Sequence, residues 1–114
     1  MDNIDYVFLA PVEGEPLSAR YRGVLASFQG RSVFVTAPNG ITEEATPEWW
    51  ASHRYFLNRA TKANDFDCAT KIHHDMWDKS GALRELQKEA ALAGRFDIVD
   101  YITSILNALL PLGR

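Results

Sequence analysis

Residues 60–72 read ATKANDFDCATKI, and thirty positions later residues 90–102 read AALAGRFDIVDYI. Each copy places alanines before Asn64 or Gly94 and a Phe-Asp pair after it. Asn and Gly readily adopt the left-handed conformation that ends a helix, and an acidic residue favours the first turn of the next one. The repeat therefore predicts two corners, each of which ends one helix and begins another.

The composition favours a single domain spanning 1–114. The 114 residues are 46% hydrophobic, enough for a real core, and their net charge of −3 gives no electrostatic signature for nucleic acid or an anionic membrane. The single Cys68 excludes an intrachain disulfide, the acidic start lacks the pattern of a secretory signal, and no apolar run approaches the ~20 residues that span a bilayer. These features predict a cytoplasmic protein without membrane contact.

The first forty residues carry strand patterns. Three segments rich in β-branched and aromatic residues are separated by turn formers: 6–10, 18–28 and 31–37. They predict a three-stranded antiparallel meander over 1–40. Gly23, in the middle of the long second strand, predicts a bulge or bend.

A tight turn at Gln29 and Gly30 would pair the second and third strands and place Leu25 opposite Phe34. Both faces of the sheet would then carry apolar side chains. One face would pack on the helices, and the other would need a cover from elsewhere in the chain or from another molecule.

Residues 46–112 carry helical patterns after a linker at 41–45. Thr46 followed by Pro47 predicts the start of a first helix, and Ser80 is predicted to cap a third. The inward positions of the three amphipathic helices follow the helical period: Trp49, His53, Phe56, Ala60 and Ala63; then Phe66, Ala69, His73 and Met76 over 65–79; then Leu83, Leu86, Ala90 and Ala93. A fourth helix over 96–110 completes two αα-hairpins. The predicted fold is α+β, a meander packed on four helices.

The predicted fourth helix is apolar on most sides. Its polar residues form one narrow strip, whereas Leu106 and Leu110 belong to a broad aliphatic surface. Either the other three helices and the sheet enclose this helix within one chain, or part of it forms a subunit interface, because a monomer rarely exposes a surface of this kind. The second alternative predicts a homodimer.

Residues 91–101, which read ALAGRFDIVDY, resemble the junction between the helices of an ankyrin unit. The resemblance covers about a dozen residues and implies only a helical hairpin, because the Thr-Pro-Leu-His start of that family is missing and stable solenoids need about three units or more. The chain is not assigned to that family.

Histidines suggest one alternative function. An antiparallel hairpin turning at Asn64 would bring His53 close to His73. Two imidazoles with Cys68 or Asp75 could begin a metal or ligand site, and such a site could make the protein an enzyme. His74 and Asp78, four residues apart on the outer face, allow a second such interpretation. The first pair is also explained by polar residues at the edge of a core that contains Trp49 and Trp77, and the second by an exposed helix face with paired charges. No metal or cofactor is therefore predicted.

Arginines suggest another alternative. Arg20, Arg22 and Arg31 would form a basic patch with aromatic neighbours on the sheet, a composition that can bind single-stranded nucleic acid. Three arginines are few, and acidic residues flank the sheet. Nucleic-acid binding is therefore the less favoured interpretation.

The favoured interpretation is a small non-enzymatic module that binds a surface of another protein as an inhibitor or adaptor. No glycine-rich phosphate loop, nucleophile elbow or zinc spacing is present in the sequence. Compact acidic chains of this size include phage-encoded anti-defence proteins such as anti-CRISPRs. The predicted contact residues are large apolar side chains at a helix boundary, on the sheet and on the last helix: Trp50, Tyr55, Leu25, Phe34, Leu106 and Leu110.

Overall fold

The computed structural model describes residues 17–108. Four strands precede three helices: β1 Ser18–Tyr21, β2 Val24–Gln29, β3 Ser32–Thr36, β4 Thr42–Ala45, α1 Pro47–Lys62, α2 Phe66–Leu92 and α3 Phe96–Leu106. The strands form one antiparallel sheet in chain order. The predicted α+β class is confirmed, whereas the counts of three strands and four helices are not. The strand predicted at 6–10 lies outside the described residues.

The predicted long strand at 18–28 is instead a hairpin. Arg22 and Gly23 both have positive φ angles, 50° and 85°, and Tyr21 pairs directly with Val24. Two successive positive φ angles make the two-residue turn whose twist suits antiparallel strands. Gly23 therefore reverses the chain, which corrects the predicted bulge. Residues 42–45, predicted as linker, add β4 at the other edge of the sheet.

The turn between β2 and β3 is Gly30-Arg31, one position later than predicted, since Gln29 pairs with Ser32. Leu25 consequently lies opposite Thr36, and Phe34 lies opposite Ser27. This shift moves each partner by two residues and therefore leaves every side chain on its predicted face. The helix-facing side is fully buried along the strands: Ala19, Val24, Ala26, Phe28, Val33, Val35 and Ala45.

Both predicted corners are confirmed, with Asn64 at φ 59° and Gly94 at φ 76°. At each corner the next residue donates its amide to a carbonyl five positions earlier: Asp65 to Ala60 at 2.9 Å and Arg95 to Ala90 at 2.8 Å. This is the Schellman arrangement, which satisfies carbonyls at the end of a helix. The two corners therefore make α1, α2 and α3 successively antiparallel.

The helix break predicted at Ser80 is wrong. The Ser80 hydroxyl donates to the Trp77 carbonyl at 2.9 Å, within an α2 that continues for 27 residues. The next residue, Gly81, packs against the Tyr21 ring of β1. Only glycine fits there, because a Cβ atom would collide with the ring carbons. A Ser-Gly pair that resembles a helix end in the sequence is here a point of close packing.

The core lies between the sheet and α2, with α3 closing its far side. Leu83 and Leu86 of α2 are fully buried, together with Ile98, Ile102 and Ile105 of α3. The opposite side of α3 is polar and exposed: Asp97, Asp100, Thr103 and Ser104. Within the described residues α3 is thus an amphipathic helix packed inside one chain, which corrects the expectation of a helix apolar nearly all round.

The α1–α2 hairpin extends beyond the sheet. Helix α2 is about 40 Å long, whereas β2 spans about 20 Å, and every residue over 61–68 is exposed. Side chains of this hairpin that were predicted to lie inward or to be packed are exposed: Phe56, Ala63, Phe66, Cys68 and His73. Trp50 rather than Trp49 occupies the core position of α1.

The contact between Gly81 and Tyr21 gives a stability prediction. Gly81→Ala should destabilise the protein, because overpacking costs about 1–3 kcal/mol whereas alanine gains about 1 kcal/mol in helix propensity. Urea unfolding measures the free-energy change. In a Tyr21→Ala background the same substitution should be neutral or stabilising. An increase in stability on Gly81→Ala alone would contradict the packing argument.

Candidate functional site

His53 contacts Lys79 and Asp75, not His73. Its Nδ1 lies 2.8 Å from the Trp49 carbonyl oxygen, and its Nε2 lies 2.9 Å from the Lys79 Nζ. An ammonium can only donate, so Nε2 accepts and Nδ1 carries the hydrogen that is donated to Trp49. Both ring nitrogens of a neutral His53 are therefore satisfied inside the protein.

Lys79 is the centre of this polar cluster and is only 8% exposed. Its Nζ forms an ion pair with Asp75 at 2.8 Å, lies 3.8 Å from Glu43, and lies 5.4 Å from the centre of the Trp49 ring. Trp49 in turn donates its indole N–H to Glu43 at 3.0 Å. A buried charge needs such partners, and these come from β4, α1 and α2. The cluster joins the sheet edge to two helices, a structural role.

The predicted metal or ligand site of His53 and His73 is not brought together. Residues 73 and 75 differ by about 200° around a helix, so His73 points away from the side on which Asp75 meets His53. Cys68 is exposed near the start of α2. Across residues 17–108, no three His, Cys, Asp or Glu side chains are placed to hold a metal ion.

The three arginines of the nucleic-acid alternative are also spread out. Arg22 is in the β1–β2 turn and Arg31 in the β2–β3 turn, at opposite ends of a strand about 20 Å long. Arg20 lies on the outer face of β1, opposite Leu25. No continuous basic patch forms from them.

Trp77, predicted to lie in the core, is instead 59% exposed on α2 and stands between two clefts. The first cleft has a volume of about 310 Å³ and lies toward the β1–β2 turn; its lining residues are Arg22, His73, His74, Trp77 and Asp78. The second, of about 290 Å³, lies toward α1 and α3; its lining residues are Trp50, Arg54, Leu57, His73, Met76, Trp77, Ser80, Arg84 and Leu106. We call the residues that line these two clefts the Trp77 face.

The Trp77 face is positively charged. Arg54 and Arg84 are exposed and form no ion pair with any residue in the described range 17–108, whereas Arg22 lies 4.0 Å from Asp78. Three arginines and one aspartate line the two clefts, a net charge of +2 with neutral histidines. An indole flanked by guanidinium groups has the composition typical of interface hot spots.

The predicted contact residues are divided among several places. Trp50, 5% exposed, and the half-buried Leu106 both line the second cleft. Tyr55 lies on the outer side of α1 against Phe56, with their ring centres 5.3 Å apart. Leu25 and Phe34 lie half-buried on the outer face of the sheet. Leu110 is outside the described residues.

The comparisons with known proteins give no relative. No family model, no curated protein and no solved structure matches the chain. Among the described residues, no helix is both long enough and apolar enough to cross a lipid bilayer.

Burial lowers the pKa of His53 below its ordinary value of 6.5, and the positive charge of Lys79 lowers it further. The hydrogen bond to the Trp49 carbonyl and the nearby carboxylates raise this pKa but do not outweigh the burial. The unfolded chain therefore binds more protons, and stability should fall as the pH decreases through about 6.5, by at most about 1.4 kcal/mol per pH unit. Urea unfolding between pH 8 and pH 5 measures this loss.

His53→Gln should remove this part of the pH dependence. His74→Gln is the control: His74 is exposed, so this variant should keep the pH dependence of the wild type. Equal pH profiles for the wild type and His53→Gln would contradict the neutral, buried imidazole.

Proposed function

We propose that the protein is a small non-enzymatic interaction module that covers part of the surface of another protein and thereby acts as an inhibitor or adaptor. The Trp77 face is the proposed contact. The observation that carries the proposal is the exposure of Trp77 on a folded helix, between two clefts and beside arginines. Exposed tryptophan is unusual on a surface that contacts nothing, and it is enriched at the centres of interfaces.

Two further observations support a binding rather than a catalytic role. His53 and Asp75, two groups that could act as acid or base, both contact Lys79 and are thereby occupied. Additional aromatic side chains, Phe56 and Phe66, are exposed on the α1–α2 hairpin that extends beyond the sheet. A small acidic chain of this kind fits the anti-defence proteins of phages in size, and inhibition by surface coverage is the mode of action that we propose.

Affinity capture from the native host tests this role. The wild-type protein should retain a partner, and Trp77→Ala should weaken that complex by about 2 kcal/mol or more, a loss of about 30-fold, because it removes the central anchor. Phe96→Ala is the matched control, since Phe96 is similarly exposed but lies at the start of α3, away from the Trp77 face. Retention of the same partner by wild type and Trp77→Ala would contradict the proposal.

A homodimer stays a prediction, but α3 no longer supplies the reason for it. Ile98, Ile102 and Ile105 pack inside one chain, so α3 does not need a second copy to bury them. The exposed aromatics of the α1–α2 hairpin now offer the surface for such a contact. Sedimentation velocity at micromolar concentration should give a species of twice 12.8 kDa, and one monomeric species would contradict the dimer.

A further inference from the structure

We infer that the Trp77 face binds an acidic segment of the partner protein, one that carries carboxylates beside a large apolar side chain. This inference rests on the proposed function and adds the chemistry of the partner. It follows from the charge of the face and from the arrangement of its two clefts.

The charge of the face is opposite to that of the whole chain. The lining residues of the two clefts sum to +2, whereas the chain sums to −3. Two other cations, Lys79 and Arg95, do have acidic partners: Lys79 pairs with Asp75 at 2.8 Å, and Arg95 pairs with Asp97 at 2.9 Å. The free guanidinium groups of Arg54 and Arg84, by contrast, have no compensating charge among residues 17–108.

The geometry of the second cleft fits a mixed acidic and apolar segment. Its floor is apolar, from Trp50, Leu57 and Met76, and can accept a large aliphatic or aromatic side chain. Arg54 and Arg84 line the same cleft, and a guanidinium group donates two parallel hydrogen bonds to one carboxylate. Trp77 separates this cleft from the first, where Arg22 offers a third cation.

An acidic peptide fits this face better than a nucleic acid. Nucleic acid presents one charge about every 1.7 Å along a duplex and binds to extended basic surfaces. Here the cations are three, they line the two clefts that Trp77 also lines, and Arg20 and Arg31 lie elsewhere. A short segment with a few carboxylates matches this small number of cations.

Selection from a random dodecapeptide display library, with the full-length protein as target, tests the inference. We expect selected peptides to be enriched in Asp and Glu next to an aromatic or large aliphatic residue. Arg54→Gln combined with Arg84→Gln should weaken a selected peptide at least about tenfold, since charged hydrogen bonds are lost. Replacing the peptide's Glu by Gln should cause a similar loss.

Arg31→Gln is the matched control, because it removes one exposed arginine away from the Trp77 face and should change the affinity less than twofold. Thermal unfolding of each variant checks that the fold is retained. Trp77-dependent peptides without acidic enrichment would overturn the acidic partner but leave the proposed function standing. Failure to obtain any Trp77-dependent peptide would overturn both, and tighter binding of a twelve-nucleotide oligothymidine would overturn the inference in favour of nucleic acid.

Discussion

The close contact between α2 and β1 at Gly81 is the constraint on which the rest of the structure depends. Because Gly81 has no Cβ atom, the Tyr21 ring lies directly on the helix backbone, and the whole sheet approaches α2. The same approach brings the β1–β2 turn, and with it Arg22, beside Asp78 and Trp77. One small residue inside a helix therefore positions both the core and one side of the candidate binding face.

Polar groups divide between a buried cluster and an exposed face. Lys79 is held under the sheet edge by His53, Asp75 and Glu43, a fully partnered network of the kind that stabilises a single arrangement of its elements. Just beyond the C-terminal end of α2, hydrogen bonds from the Arg95 side chain lower the pKa of Asp97 to about 2. Arg54 and Arg84 have no such acidic partner among residues 17–108, so a chain of negative net charge presents a positive surface around Trp77.

The histidines follow the same division, with His53 inside the cluster and His73 and His74 exposed on α2. A general base needs a free ring nitrogen close to a substrate, but each nitrogen of His53 already has a partner in the protein. The groups left free at the surface are guanidinium, imidazole and aromatic side chains along one side of α2. Guanidinium and aromatic side chains of this kind are enriched at protein interfaces, which is the use that we propose for them.

The sequence alone determined the features that depend on local interactions. The Asn64 and Gly94 corners could be predicted because their hydrogen bonds join residues five positions apart. The alternation in β2 and β3 divided the side chains correctly between two faces, even with the turn misplaced by one residue, but did not say which face is buried. Only the tertiary structure decided three other features. The helix continues through Ser80 and Gly81, Trp50 rather than Trp49 lies in the core, and Trp77 stays exposed. Each of these depends on which distant surface covers the helix, and the helical period specifies a face without specifying its partner.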